Sequence, residues 1–525
     1  MKIIRLFLLL TLIACNSSKN TNQSSSTETA KKEQSQPNIL LITLDDMNWN
    51  SPAIHGGDIP NITPHIDKLA TSGVMFQNAY VQAPNCSPSR VVIQTGLYPH
   101  QSGMRGFFFV ENTINTLSVL LKENGYYTGV LNKKSDTSIH PDYDAFWDTH
   151  SSFTGDKKRC ATVYGDEFEG FLKNARQTNK PYYCVLNIAD PHKPFFNDDI
   201  SKKQGFDNCP PSTIYGLNEV TVPEFLPETP KIKQQILNYY NSVKRGDDCV
   251  GEVLKVLKTN KDFDNTIVIL LSDHGMPFPY AKSTVYQNGL KTPLIVSWPK
   301  QLKPFVNKNS LVSAIDIAPT LLDITGISKP SEMTGNSFLR ALKTDEENKE
   351  STYVFGQYDE NAGGIPRPSR TAISKRYGYI FNPWATGEYK FISASTHQLT
   401  YKQMKKLATT DEAVKKRFNF WLYRSVEEFY DYEKDPNALH NLINHPDYKE
   451  IIEIHRTALQ QHMMQTNDYT LAAFNEKENV SFLNNWMKSE VEAATIRSKT
   501  IKWKRGKNHL GSTKNNSKLF NVAED

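Results

Sequence analysis

The stretch Cys86-Ser87-Pro88-Ser89-Arg90 places a thiol, a helix-starting proline and a fixed cation within five residues. Pro88 suits the first turn of a helix with Ser87 as its cap, so Cys86 is expected just before a helix N-terminus. Free N–H groups and the helix dipole favour an anion at that place. Arg90, four residues on, is expected on the same face, bringing a permanent positive charge back to Cys86. Further carboxylates, imidazoles and lysines cluster in Asp45-Asp46, Asn132-Lys133-Lys134, Asp190-Pro191-His192 and Ser272-Asp273-His274-Gly275. One such cluster alone reads as a turn, because Asp, Asn and Gly are ordinary turn residues. Four of them argue for a site.

Each cluster follows directly on an apolar run. The runs are Ile39 to Leu44, Tyr127 to Leu131, Tyr183 to Ile188 and Thr266 to Leu271. Continuous runs of this length suit strands buried on both faces, as in a parallel sheet covered by helices. Helical patterns lie between them, around Thr116–Glu123 and Lys231–Leu257. This alternation predicts an α/β domain with crossover connections, and ligands in such sheets bind beyond the carboxyl ends of the strands. All four clusters should then meet on one edge.

The ends of the chain carry a different message. Lys2 and Arg5 precede an apolar run from Leu6 to Ala14, the pattern of a signal peptide and too short for a mature transmembrane helix. Leu12-Ile13-Ala14-Cys15 looks like a bacterial lipobox, which would make Cys15 the lipidated N-terminus of an exported, membrane-anchored protein. Residues 16–36 are polar and read as a tether, with no acidic cluster after Cys15, which favours a periplasm-facing anchor over surface display. A net charge of +5 is small for this length and argues against nucleic acid as a partner. Much of that excess falls between Arg497 and Lys518, read as a solvated tail. An exported location permits a disulfide, with Cys160 and Cys209 as one pairing among Cys160, Cys184, Cys209 and Cys249. The expected organisation is a signal peptide over 1–14, a tether over 15–37, a catalytic domain over 38–365, a C-terminal subdomain over 366–495 and a basic tail over 496–525.

Cys86-Ser87-Pro88-Ser89-Arg90, with Thr95-Gly96 after it and Asp45-Asp46 before it, resembles the Cys-x-Pro-x-Arg signature of the formylglycine-dependent sulfatases. The resemblance extends over most of residues 38–340 and more loosely to about 445. Within that family it is nearest the sulfamidase (N-sulfoglucosamine sulfohydrolase) group, through His100 to Met104, Asp190-Pro191-His192, Val222 to Pro230 and Ser272 to Pro279. It implies an α/β fold with an alkaline-phosphatase-like mixed sheet sandwiched by helices and a smaller C-terminal α+β subdomain. It also implies a maturation enzyme that oxidises Cys86 to formylglycine. One hydroxyl of the hydrated aldehyde would attack sulfur, and deprotonation of the other would later expel sulfate. Asp45, Asp46, matured Cys86, Asp273 and His274 would hold one Ca2+. Lys133 and Lys282 would neutralise the sulfate, and His192 would protonate the leaving oxygen.

Two positions depart from the pattern. Ser135 stands where the sulfamidase group has a His, and serine cannot act as an imidazole acid or base, although His140 could reach back. His274 stands where many sulfatases have Asn, would also suit manganese or zinc, and occurs in related phosphonate monoester hydrolases. The expected substrate is a sulfated polysaccharide or its oligosaccharides, algal (ulvan-like or carrageenan-like) in preference to heparan. An N-sulfoglucosamine sulfatase, a phosphonate or phosphate ester hydrolase and an inactive glycan-binding lipoprotein are the alternatives. Arg367 and Arg370, in the Gly/Pro-rich stretch from Gly363 to Pro368, read as loop residues able to fork onto a sugar carboxylate or a second sulfate.

Overall fold

The computed structural model describes residues 36–111, 114–347, 351–396 and 398–501. The expected signal peptide, Cys15 and nearly all of the tether lie outside the described residues, as does the chain beyond 501. Among the described residues no helix is long and apolar enough to cross a membrane.

The strands, in chain order, are β1 (Asn38–Leu44), β2 (Val74–Phe76), β3 (Ala79–Tyr80), β4 (Tyr127–Leu131), β5 (Thr149–His150), β6 (Tyr182–Ile188) and β7 (Thr266–Ser272). They continue with β8 (Leu294–Ser297), β9 (Phe305–Asn307), β10 (Val312–Ser313), β11 (Val354–Glu360), β12 (Pro366–Ile373), β13 (Tyr377–Phe381) and β14 (Glu427–Asp431). The main sheet runs β5-β4-β6-β1-β7-β8-β2-β9. Its centre, β4-β6-β1-β7, is parallel, and these are the four apolar runs. Register aligns their carboxyl ends: Leu44 pairs with both Ile188 and Ser272, and Leu131 pairs with Leu186. Ile39, Leu40, Leu41 and Ile42 of β1 are completely buried. Each such side chain contributes about 1.5–3 kcal/mol of burial energy.

Two groups of helices flank this sheet. Pro64–Ala70, Ala161–Gln177 and Pro230–Thr259 pack on one another, and Cys86–Thr95 packs with Leu117–Glu123 and Ile317–Thr325. Both helices expected from the sequence form. Thr116 caps the helix Leu117–Glu123 by accepting the Val119 N–H, and Thr229 caps Pro230–Thr259 by accepting the Ile232 N–H. From Pro37 on, the described residues form one compact unit. Within it β11-β12-β13-β14 make a separate antiparallel sheet, covered by the helix Lys449–Gln465. Cys160 and Cys209 are joined as a disulfide, while Cys86, Cys184 and Cys249 are free and buried.

Two expectations are corrected here. Arg367 and Arg370 do not lie on a loop but in β12, fully buried. Proline is normally excluded from a paired strand. It is tolerated at Pro366 and Pro368 because β13 pairs with β12 only from Arg370 onward, and a bulge interrupts β11 between Tyr358 and Glu360. Arg370 Nη2 is 3.0 Å from Asp468 Oδ1 and 3.0 Å from Asp359 Oδ1, and its Nε also binds Asp468. Arg367 donates to the carbonyls of Lys390 and Pro366 and lies over the Tyr389 ring. The second correction concerns the tail. Helix Val480–Thr500 carries Arg497 inward, where its guanidinium pairs with Glu360.

Burial alone would raise the Asp468 carboxyl, but Arg370 and His100 outweigh it and hold the group below the usual carboxylate range. The stability this pair contributes is therefore complete above about pH 5 and lost progressively as pH falls. Asp468→Asn is expected to cost about 3 kcal/mol at pH 7, because it leaves a buried guanidinium short of a partner. The difference from the parent should shrink at pH 3, as read by urea unfolding at both pH values.

Candidate active site

The four loops that leave β1, β4, β6 and β7 meet the N-terminus of helix Cys86–Thr95. A strand continuing past Leu44 would send Asp45 and Asp46 to opposite faces. Instead the backbone turns left-handed at Asp46 (φ 70°), and both carboxylates reach the same place. Asn132 (φ 62°) and Lys133 (φ 46°) turn in the same way after β4. Non-glycine residues held there cost about 1–3 kcal/mol each, a strain that concentrates at functional sites.

The helix begins two residues earlier than expected. Asn85 is its cap residue and Cys86 its first residue, and the Ser89 N–H bonds back to the Asn85 carbonyl. Ser87 does not cap, because its hydroxyl donates to Asp136 at 2.5 Å. Cys86 thus keeps the exposed N–H groups and dipole of the first turn beside it.

Arg90 does not turn back to Cys86, as its spacing suggested. Its Nε donates to Asp273 Oδ2 at 3.0 Å, and its Nη2 lies 2.8 Å from the same oxygen and 3.7 Å from Asp45 Oδ2 as an ion-pair contact. Its Nη1 donates to the Thr43 hydroxyl and to Asn187 Oδ1. Burial would raise the Asp273 carboxyl, but His274 and Arg90 pull it well below its ordinary value, so it stays ionised.

Cys86 Sγ lies 3.4 Å from Asp45 Oδ1, 3.3 Å from His274 Nε2 and 3.6 Å from Lys282 Nζ. Burial pushes this thiol well up, with Lys282 opposing. As a thiol it is a poor source of thiolate nucleophile. Lys282 stays protonated despite its own burial, because Asp46, 2.6 Å away, and Cys86 raise it. Lys133 contacts Asp45 and lies 3.8 Å from Asp136, and burial lowers it.

Two imidazoles are fixed by carbonyls. His274 Nδ1 is 3.0 Å from the Gly275 carbonyl and His192 Nδ1 is 2.6 Å from that of Lys193. A carbonyl only accepts, so each ring donates from Nδ1 and leaves Nε2 turned toward the site. His192 Nε2 is 3.9 Å from Asp46 Oδ2. Burial, with Lys282 and Lys133 nearby, pushes the His192 imidazole well below its usual value.

Asp45, Asp46, Cys86 and His274 each offer one ligand atom, all within 4.8 Å of one another. Asp273 adjoins them, with Oδ1 accepting the Asp46 N–H at 3.2 Å and lying 3.6 Å from His274 Nε2. Asp46 Oδ2 is buried and accepts no hydrogen bond. Carboxylate oxygens, one of them orphaned, and an aimed imidazole nitrogen fit a hard divalent cation.

The structure thus brings together Asp45, Asp46, Cys86, Arg90, Lys133, His192, Asp273, His274 and Lys282. Arg367 and Arg370 are spent on the second sheet. His140 accepts the Asp142 N–H and packs beside Phe146. Sequence reasoning missed Thr43 and Asn187, although a polar residue near the end of an otherwise apolar run was a usable signal. It also missed Tyr239, which donates to the Asp46 carbonyl, and the clasp of Arg159 and Arg245 on Asp190.

The family model described as Sulfatase matches residues 37–327, and that described as N-sulphoglucosamine sulphohydrolase, C-terminal, matches 273–393. The chain belongs to the sulfatase family and is a sulfuric ester hydrolase with the alkaline-phosphatase-like fold. Within the family it lies close to the sulfamidase-like group. It is 28% identical to the human N-sulphoglucosamine sulphohydrolase over 82% of this chain and 90% of that one. It is 29% identical to an ulvan-active sulfatase of Formosa agariphila over 82% of this chain and 75% of that one. A solved chain in complex with its substrate D-glucosamine-2-N,6-O-disulfate shares the fold, with a TM-score of 0.61, 19% identity and coverage of 83% and 99%.

Arg90→Met is expected to destabilise the protein by about 3–5 kcal/mol, since it strands the buried Asp273 carboxylate. Denaturant unfolding of the purified variant measures this.

Proposed function

We propose that this protein hydrolyses sulfate esters of a sulfated polysaccharide or its oligosaccharides, with Cys86 matured to formylglycine and one bound calcium ion. The observation that carries this reading is the meeting of Cys86 with Asp45, Asp46, His274 and Lys282 at the first turn of a buried helix. Burial pushes the Cys86 thiol up, which accords with residue 86 acting in its oxidised form. The hydrated aldehyde would supply one hydroxyl to attack sulfur and a second whose deprotonation releases sulfate. Asp45, Asp46, Asp273 and His274 would hold the calcium, which supplies Lewis-acid polarisation of a sulfate oxygen.

The remaining chemistry belongs to the side chains. Lys282, kept cationic by Asp46, stands beside residue 86 and meets negative charge on the transferred group. Lys133 does the same from the β4 loop. His192 reaches the site through Nε2, 3.9 Å from Asp46 Oδ2. An incoming sulfate opposes the lysine charges that depress this imidazole, so substrate binding favours the protonated form that can donate to the leaving oxygen. Arg90 keeps Asp273 in place and ionised, and is a positioning residue.

Likeness to an ulvan-active sulfatase, the lipobox at Cys15 and the absence of a histidine at 135 support an algal glycan over an N-sulfated glucosamine. The same N-terminal features support an exported lipoprotein anchored by lipid and facing the periplasm. It would meet a formylglycine-generating enzyme as its maturation partner, and no nucleic acid. His274 alone favours a second reading, a phosphonate or phosphate ester hydrolase.

Protein made with a formylglycine-generating system should carry an aldehyde at residue 86 by mass spectrometry and release free sulfate from algal oligosaccharides. Full activity with an unmodified thiol, or a higher kcat/KM on matched phosphorus esters, overturns the reading. Elemental analysis should find calcium, and Asp45→Asn should lower both metal content and rate. Lys133→Ala and His192→Ala should each cost about 10²-fold or more in kcat/KM. Ser135→Ala should cost little.

A further inference from the structure

Lys193 is a cation beside the site that the chemistry above does not use. It follows His192 directly, and its carbonyl is what orients that imidazole. Its ammonium rests over the rings of Phe195 and Phe278, at 5.0 and 5.5 Å from their centroids. These rings pack on each other and on Tyr239, the residue that donates to the Asp46 carbonyl. Lys193 therefore caps an aromatic platform that reaches Asp46 through Tyr239, where the charges of Asp198, Asp46 and Lys282 act on it.

Lys193 is half-buried, with one side-chain acceptor among the described residues. Nζ donates to Gln398 Oε1 at 2.7 Å, a neutral amide, and no carboxylate among the described residues lies within ion-pair distance. An ammonium has three donors. A partly desolvated cation held by two ring faces and one amide gains strongly from an anion that completes its shell. The other cations of the site differ in this respect. Arg90, Lys133 and Lys282 each pair with a carboxylate.

We propose that Lys193 is a specificity-determining residue that grips a second anionic group, a uronate carboxylate or a further sulfate ester, on the sugar leaving from the His192 side. This rests on the sulfatase reading, because it takes His192 to mark the leaving group. Gln398 and the two phenylalanine rings set the height and direction of the ammonium. The substrate class that follows is a polyanionic glycan in preference to a sugar with a single sulfate.

Binding to the Cys86→Ala protein tests this without turnover. Calorimetry would compare a sulfated, uronate-containing disaccharide with its carboxyl-reduced analogue and with a disulfated disaccharide lacking uronate. The parent should prefer at least one doubly charged ligand over the neutralised one by tenfold or more. Lys193→Met and Lys193→Gln should lose that preference, and Lys193→Arg should keep most of it. The disaccharide that shows the effect tells carboxylate from sulfate. Equal affinities in the parent, or a preference that survives in both neutral variants, overturn the proposal. Failure of the sulfatase reading is a separate result, namely no free sulfate from any of these ligands with the formylglycine-bearing enzyme, whatever the affinities.

Discussion

The structure depends on burying three carboxylates, Asp45, Asp46 and Asp273, at the carboxyl ends of two neighbouring central strands. All three are completely inaccessible. Isolated charges in such a place are prohibitively costly, so each must have a partner. Arg90 serves Asp273, Lys282 serves Asp46 and Lys133 contacts Asp45. Three cations face these three carboxylates, and Asp136 adds a further negative charge beside Lys133. A divalent cation would add positive charge to this cluster, and an anionic ester would in turn be attracted to it. Binding of metal and of substrate thus belong to one electrostatic balance.

Arg90 is the least replaceable member of this arrangement. It is buried in a helix, yet its guanidinium spans Asp273 after β7, Thr43 in β1 and Asn187 in β6. A lysine has no fork to satisfy acceptors on three strands at once. The same guanidinium therefore fixes the spacing of the strands that deliver Asp45, Asp273 and His192. This explains why a signature residue four positions from Cys86 makes no contact with its sulfur. Its role is to hold the carboxylates, not to activate the thiol.

Much of the site was legible because parallel-strand chemistry leaves a linear trace. An apolar run followed at once by Asp, Lys or His marks a strand end, and four such marks located β1, β4, β6 and β7 with their loops. Helix Pro230–Thr259 was equally visible from its period. What was not legible depended on pairing across long separations. Arg370 finds Asp468 98 residues away, and Arg497 finds Glu360 137 residues away. Local composition around Arg367 reads as a loop, since nothing nearby reveals that its prolines fall where β12 lacks a second neighbour. The cap was misread for a related reason. Ser87 was free to cap by local rules, but Asp136, 49 residues on, takes its hydroxyl.

Ser135 shows how the geometry accommodates a missing imidazole. It sits in the short helix Lys134–Thr137, directly after Lys133 has turned left-handed to send its ammonium toward Asp45. The β4 loop therefore still supplies a cation, but no second group able to carry a proton at neutral pH. In the proposed mechanism proton delivery would then fall to His192, on the β6 loop, whose Nδ1 is tied to a carbonyl and whose Nε2 lies 3.9 Å from Asp46. The Asp190 carboxylate is clasped by Arg245 at 2.8 Å and Arg159 at 2.6 Å, two residues before it, and the Asp45 N–H reaches the Asp190 carbonyl. A loop anchored this firmly can hold a single acid in place. If a sugar leaves past this edge, as the proposed reading has it, a histidine-sized group is missing on the β4 side and the β6 loop supplies the imidazole.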